Sequence, residues 1–167
     1  MKQNTTDDIN HEIELYLVET FKALFEHEVR TSRRYKRPLS LLHIALEVEP
    51  DTPQTRRGAE MIAINALDSE LRDSDIPCLH GREFLVLLPS TDETGARSAC
   101  DRLVSLLHTQ DQTYESLPFK MMARIGFTSL SGEAVLSAAK IREQASNAMN
   151  YARNAHSYEA VSFSELR

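Results

Sequence analysis

Two short apolar segments near the middle of the chain, 76–79 and 83–88, are separated only by His80, Gly81 and Arg82. A gap this short that contains glycine predicts two antiparallel strands joined by a tight hairpin turn. Pro89 ends the second strand, because proline has no N–H to donate to a neighbouring strand. The rest of the chain must therefore pack around a sheet that contains this hairpin.

The segments on either side of the hairpin alternate between strand and helix patterns. Apolar runs predict strands at 39–48, 119–130 and 159–163, and apolar residues at helical spacing predict helices at 59–72, 92–108 and 133–153. The resulting β-α-β-β-α-β order is the ferredoxin-like arrangement. We predict an α/β (α+β) fold in which helices flank a central antiparallel sheet.

The N-terminal part of the chain has a separate pattern. Between Ile9 and Tyr35 there is no glycine or proline, and apolar residues recur at helical spacing from Ile13 to Val29. This pattern predicts a long amphipathic helix, which Pro38 terminates. We predict a tail and helix over residues 1–30 and a domain over residues 31–167. The apolar stripe of the helix suits either packing on the domain or a coiled-coil or dimer contact.

Composition excludes several classes of protein. The 167 residues carry a net charge of −6, whereas a general nucleic-acid binder needs a positive surface. There is no apolar run of the roughly 20 residues that span a bilayer. The first ten residues are too polar for a signal peptide. Cys78 and Cys100 lack metal-site spacing and lie in apolar patterns, which indicates buried thiols. We expect a cytoplasmic protein with no cofactor and no membrane insertion.

Five stretches follow one another in a distinctive order: RRYKRPLSLL at 33–42, RDSD at 72–75, FLVLLPSTD at 84–92, ARIGF at 123–127, and the helical segment 145–153. Together they resemble the GGDEF family of diguanylate cyclases, with a similarity that extends from about Phe21 to Phe163. In that family two GTP-bearing domains meet and form cyclic di-GMP, a bacterial second messenger. The resemblance implies two divalent metal ions, held by acidic side chains at the triphosphate.

The acids that this family uses are missing at two positions. Alignment on Pro38 places the strand aspartate at Ala45, and the signature reads His80, Gly81, Arg82, Glu83 and Phe84, one residue short, with Arg82 in place of the metal-binding acid. A methyl group cannot bind a metal, and a guanidinium repels one. The resemblance therefore implies a pseudoenzyme without a metal site. The alternative is an active cyclase with rearranged ligands such as Glu47 and Glu83.

A second site of the family is retained. Arg72 and Asp75 match its RxxD motif, and Arg102 matches an arginine on the helix after the hairpin. In the family these residues bind cyclic di-GMP and inhibit the enzyme; guanidinium groups suit phosphates and the guanine Hoogsteen edge. We therefore predict a cyclic di-GMP receptor. Two alternatives stay open: an ordinary surface ion pair at Arg72 and Asp75, and a nucleotide-free protein-interaction or dimerisation module that uses the N-terminal helix. His43, in an apolar strand, is expected to be a core or edge histidine.

Overall fold

The computed structural model describes residues 2–3, 15–108 and 112–166. The elements in chain order are β1 (Lys2–Gln3), β2 (Leu15–Tyr16), α1 (Val18–Tyr35), β3 (Leu39–Glu49), α2 (Pro53–Glu70), β4 (Ile76–His80), β5 (Glu83–Pro89), α3 (Glu93–Leu107), β6 (Gln112–Tyr114), β7 (Leu117–Leu130), α4 (Ala138–Asn154) and β8 (Val161–Ser162), with a 3₁₀ turn at Phe163–Glu165. The series β3-α2-β4-β5-α3-β7 is the ferredoxin-like core, so the predicted fold class is confirmed.

The strands form one sheet in the order β1-β2-β4-β5-β3-β7-β6, and β8 pairs with β7. Within the core, β4, β5, β3 and β7 are antiparallel neighbours. Their register places Ala45 of β3 between Glu83 of β5 and Arg124 of β7. These three positions therefore share one face of the sheet, close to the hairpin turn.

Helices cover both faces of the sheet. On one face α2 and α3 pack on residues such as Phe84, and on the other α1 and α4 pack on residues such as Leu85. The two neighbours lie in opposite layers because successive side chains of a strand alternate between its faces. Phe21 and Phe25 of α1 are only 2% and 4% exposed. The apolar stripe of the N-terminal helix thus packs on its own sheet, which was the first of its two predicted uses.

The N-terminal helix is shorter than predicted. It begins at Val18, while Leu15–Tyr16 forms β2, whose Tyr16 pairs with Cys78 of β4. Leu15 is fully buried in the core, so pairing along the sheet edge replaces helix formation there. The predicted helical residues 9–14 lie outside the described part of the chain. Residues 30 and 31, where the sequence suggested a boundary, lie inside α1.

Two other helices have different bounds from those predicted. The second helix, α2, begins at Pro53 rather than at residue 59, because Thr52 and Thr55 form a reciprocal capping box. It ends at Glu70, so Arg72 lies in the turn that follows. The last helix, α4, begins at Ala138 rather than at residue 133, because the Ser137 side chain caps it by accepting the Lys140 N–H.

No helix in the described part of the chain is long and apolar enough to cross a membrane. Both cysteines are buried free thiols, as their apolar patterns predicted. Strand β8 is shorter than the predicted 159–163.

Candidate functional site

The residues predicted to be a degenerate signature, His80 to Phe84, form the turn of the β4–β5 hairpin and the residues next to it. His80 pairs with Glu83, which leaves a two-residue loop of Gly81 and Arg82. Gly81 has a φ of +64°, a conformation that a tight hairpin turn requires and that glycine adopts without strain. Arg82 is exposed, and its Nη1 lies 3.5 Å from Oδ2 of Asp51. Arg82, which the sequence alignment predicted to stand in place of the family's metal-binding carboxylate, is thus paired with a nearby acid.

A second arginine lies beside Ala45. Arg124, directly opposite Ala45 in the sheet, has a side chain that is only 4% exposed. Its Nη2 donates to Oε2 of Glu47 at 3.0 Å, and its Nη1 donates to the Ser157 carbonyl at 2.6 Å. Arg124 was not among the predicted functional residues. The signal that would have found it is a charged residue inside an apolar strand.

Glu83, the acid of the predicted signature, also has hydrogen-bond partners for both of its carboxylate oxygens. Its Oε1 lies 3.1 Å from Nε2 of His43, and its Oε2 accepts from Nη2 of Arg153 at 3.0 Å. Nδ1 of His43 lies 2.8 Å from the Ser146 hydroxyl. His43 is buried, as expected, and desolvation by burial lowers the pKa of its imidazole. The neutral ring thus donates from Nε2 to Glu83 and accepts at Nδ1 from Ser146.

The carboxylates near Ala45 already have cationic partners. Glu47 and Glu83, the two carboxylates of the rearranged-ligand alternative, are each bonded to an arginine. Across the described ranges no group of three or more histidine, cysteine, aspartate or glutamate side chains is placed to hold a metal ion.

The three residues of the predicted cyclic di-GMP site lie together elsewhere. Arg72, Asp75 and Arg102 line one cavity of about 350 Å³, formed by the turn after α2, the end of β5 and the first turns of α3. Its wall also contains Glu70 and Thr91. The cavity lies within the usual size range of small-molecule sites.

The Asp75 side chain is buried and holds the turn that forms one wall of this cavity. Its side chain is 3% exposed, and its Oδ2 accepts the backbone N–H of Arg72 at 2.8 Å. The Asp75 N–H in turn donates to the Arg72 carbonyl at 2.9 Å, which closes the turn. The Arg72 guanidinium donates to the Thr91 hydroxyl at 2.6 Å and lies 3.4 Å from Oδ1 of Asp75. Asp75 thereby holds Arg72 in the cavity wall, while most of the guanidinium stays exposed.

Arg102 reaches the cavity from α3 and is already paired. Its Nε donates to Oε2 of Glu70 at 2.5 Å, and its Nη1 donates to the Ser98 hydroxyl at 2.8 Å. Glu70 is the last residue of α2 and was missed in the sequence. It places a negative charge in a cavity that was predicted to bind phosphates.

Comparisons with known proteins agree with this fold. The family model described as diguanylate cyclase, GGDEF domain, matches residues 61–158. None of the curated protein sequences is significantly similar to this chain.

Solved structures of low sequence identity share the fold. The diguanylate cyclase SiaD from Pseudomonas aeruginosa, solved in complex with its activator SiaC, is 19% identical with a TM-score of 0.78, covering 89% of this chain and 58% of that one. The GGDEF domain of PA1120 (YfiN or TpbB) from the same organism is 18% identical with a TM-score of 0.75, covering 89% and 96%. The GGDEF domain of DgcB from Caulobacter crescentus, in complex with c-di-GMP, is 9% identical with a TM-score of 0.73, covering 99% of both chains.

This chain thus spans less than two thirds of the SiaD chain and nearly all of the two isolated domains. Identities this low establish the fold alone. The family model, by contrast, covers more than half of the chain. The protein is therefore a member of the GGDEF domain family, the diguanylate cyclase domains.

Proposed function

We propose that this GGDEF domain is catalytically inactive and acts as a receptor for cyclic di-GMP in second-messenger signalling. The observation that carries the proposal is the cavity of about 350 Å³ that Arg72, Asp75 and Arg102 line together. Residues separated by some thirty positions in sequence converge there, with one of the two guanidinium groups fixed by a buried carboxylate.

The loss of catalysis rests on charge. Condensation of two GTP molecules to cyclic di-GMP needs metal ions that neutralise the negative charge developing on the phosphate groups during the reaction. Here Arg82 and Arg124 stand at or beside the two positions of the family's metal-binding acids, and the nearest carboxylates are bonded to arginines. Binding a divalent cation would require breaking those pairs and placing like charges in contact.

The binding chemistry suits the ligand. Cyclic di-GMP carries two phosphates and two guanines, and a guanidinium recognises a phosphate or the guanine Hoogsteen edge with two parallel hydrogen bonds. Arg72 and Arg102 supply two such groups in one cavity. The complex of DgcB with c-di-GMP, in a protein of the same fold, supports the choice of ligand. Buried free cysteines agree with the reducing cytoplasm, where this second messenger is found.

Calorimetric titration of the purified chain with cyclic di-GMP tests the receptor. We expect binding that Arg72→Ala and Arg102→Ala each weaken by at least about tenfold, the loss of a charged hydrogen-bond pair. Arg34→Ala is the matched control, because Arg34 is an exposed arginine that stacks on Tyr35 outside the cavity. An absence of heat at ligand concentrations on the order of tens of micromolar, or equal binding by all three variants, would contradict the proposal.

Incubation with GTP and Mg²⁺ or Mn²⁺ tests the loss of catalysis. We expect mass spectrometry to find no cyclic di-GMP in the reaction. An active GGDEF domain serves as the positive control. Product formed at a rate that Glu83→Gln abolishes would establish the rearranged-ligand alternative instead.

A further inference from the structure

A second cavity, of about 450 Å³, lies on the opposite side of the sheet from the α2–α3 layer, between α1 and α4 above β4 and β5. It shares no lining residue with the cavity of Arg72. The apolar part of its lining includes Val18, Phe21, Phe25, Cys78, Leu85 and Ala138. Two phenylalanine rings with centroids 5.8 Å apart form one side of it.

The charged side chains that line this cavity differ in how exposed they are. Lys22, Glu26 and Glu143 are exposed side chains that line it, and Lys22 and Glu143 have local partners, Glu19 at 3.4 Å and Lys140 at 3.0 Å. Arg142 is the charged lining residue that is partly buried. Its Nη2 contacts Nδ1 of His80 at 2.7 Å, and within the described residues no carboxylate pairs with it.

Although Glu26 and Glu143 line the same cavity, the partly buried Arg142 guanidinium contacts an imidazole nitrogen and forms no direct ion pair with either carboxylate. A carboxylate supplies that charge and takes two parallel hydrogen bonds from the guanidinium fork. The Ser146 hydroxyl lines the same cavity and adds a further polar group. The apolar walls, meanwhile, favour a ligand with a hydrocarbon or aromatic body.

We propose that the cavity between α1 and α4 is a binding site for a small amphipathic carboxylate, with the carboxylate on Arg142 and the apolar body against Phe21 and Phe25. The site is distinct from the proposed cyclic di-GMP site, since the two cavities have no lining residue in common. Because Arg142 contacts His80, occupancy of this site alters the surroundings of the signature hairpin.

Octanoate is the probe that tests this site, with octanol and octylammonium as ligands of equal chain length and different charge. Calorimetry should show binding of octanoate that is at least about tenfold tighter than that of either comparison ligand. The His80 ring resonances should shift on titration with octanoate. Equal affinities for octanoate and octanol, or no binding of octanoate, would overturn the proposal.

Two variants locate the binding. Arg142→Gln should weaken octanoate binding by about tenfold or more while leaving the weak binding of octanol unchanged. Ala138→Leu adds bulk to the apolar wall without changing charge, and should weaken both ligands. Arg30→Gln removes an exposed arginine of α1 outside the cavity and serves as the matched control. Undiminished octanoate binding by either cavity variant would show that the ligand binds elsewhere.

Discussion

Glu70 gives the receptor proposal its most discriminating test, because removing it should improve binding. The Glu70 carboxylate holds Arg102 with an Nε···Oε2 contact of 2.5 Å inside the cavity of Arg72. A phosphate of cyclic di-GMP must therefore compete with Glu70 for the same guanidinium. Glu70→Gln keeps the size of the side chain and removes its charge, so we expect tighter binding.

The magnitude follows from the exposure of the pair. Arg102 and Glu70 are 52% and 21% exposed, so their ion pair contributes about 0.2–1 kcal/mol, as for pairs in contact with water. A carboxylate about 8 Å from a ligand phosphate in a water-like medium adds about 0.5 kcal/mol of repulsion. The sum, about 0.7–1.5 kcal/mol, corresponds to an affinity gain of about three- to tenfold.

Calorimetric titration of Glu70→Gln beside the unmodified chain measures this gain, at constant ionic strength because salt screens both terms. Asp68→Asn is the matched control: it removes one negative charge from the same helix at an exposed position outside the cavity. A misfolded variant cannot mimic tighter binding. Unchanged or weaker binding by Glu70→Gln, or an equal gain in Asp68→Asn, would refute the placement of the ligand on Arg102.

Three further predictions concern stability. Glu47→Ala leaves the buried Arg124 with the Ser157 carbonyl as its remaining partner. Because Glu47 is 40% exposed, we expect the free energy of unfolding to fall by only about 1–2 kcal/mol, which lowers Tm by about 2–8 °C in calorimetry. The control variant Glu49→Ala should leave Tm unchanged. Burial lowers the folded-state pKa of His43 and His108 below the unfolded value of about 6.5, so unfolded chains bind more protons in acid. Urea titrations should therefore show stability that is fully present above about pH 6.5 and falls below it, by at most about 1.4 kcal/mol per pH unit for each histidine, with a shallower slope in His43→Gln. Gly126→Ala would place a Cβ 1.9 Å from the Met149 backbone nitrogen and should destabilise the fold by about 3 kcal/mol or more. At Gly81 an added Cβ meets nothing within 4 Å, so Gly81→Ala should cost only the about 1–2 kcal/mol of placing alanine at a φ of +64°. Equal losses of stability in the two variants would contradict this reasoning.

The core of the fold was predictable because its strands are continuous apolar runs. The hairpin around Gly81 and the strand after Pro38 both follow from local patterns that tertiary contacts reinforce. The short strands β2 and β6 were not predictable in this way, since each exists only through pairing with a longer strand. The turn between β6 and β7 uses Glu115 and Ser116 at positive φ, so no glycine marks it. The predicted start of the second helix at residue 59 left out Pro53, although proline suits the first turn of a helix, where its missing N–H costs nothing.

The candidate site was predictable only in part. Arg72, Asp75 and Arg102 came from the resemblance, and the structure places them around one cavity. Their competitor Glu70 could not be foreseen, because its contact with Arg102 depends on how α2 and α3 pack. The same holds for Arg124. The position of Arg124 opposite Ala45 depends on the register of β3 against β7, and that register cannot be deduced from the sequence alone.

The charged residues on the face of Ala45 form one network of ion pairs and hydrogen bonds. A metal centre needs carboxylates that stay unpaired until the cation arrives, and such clustered acids repel each other in its absence. In this chain Arg124 neutralises Glu47, while Arg153 and the neutral His43 engage Glu83, so the acids that remain contribute to stability without a cation. Restoring an aspartate at position 45 alone would place it beside Arg124 and make it a second acceptor for the same guanidinium. If the domain is inactive as proposed, the barrier to metal binding is the network of arginine pairs as a whole, and we expect that a single Ala45→Asp change does not remove it.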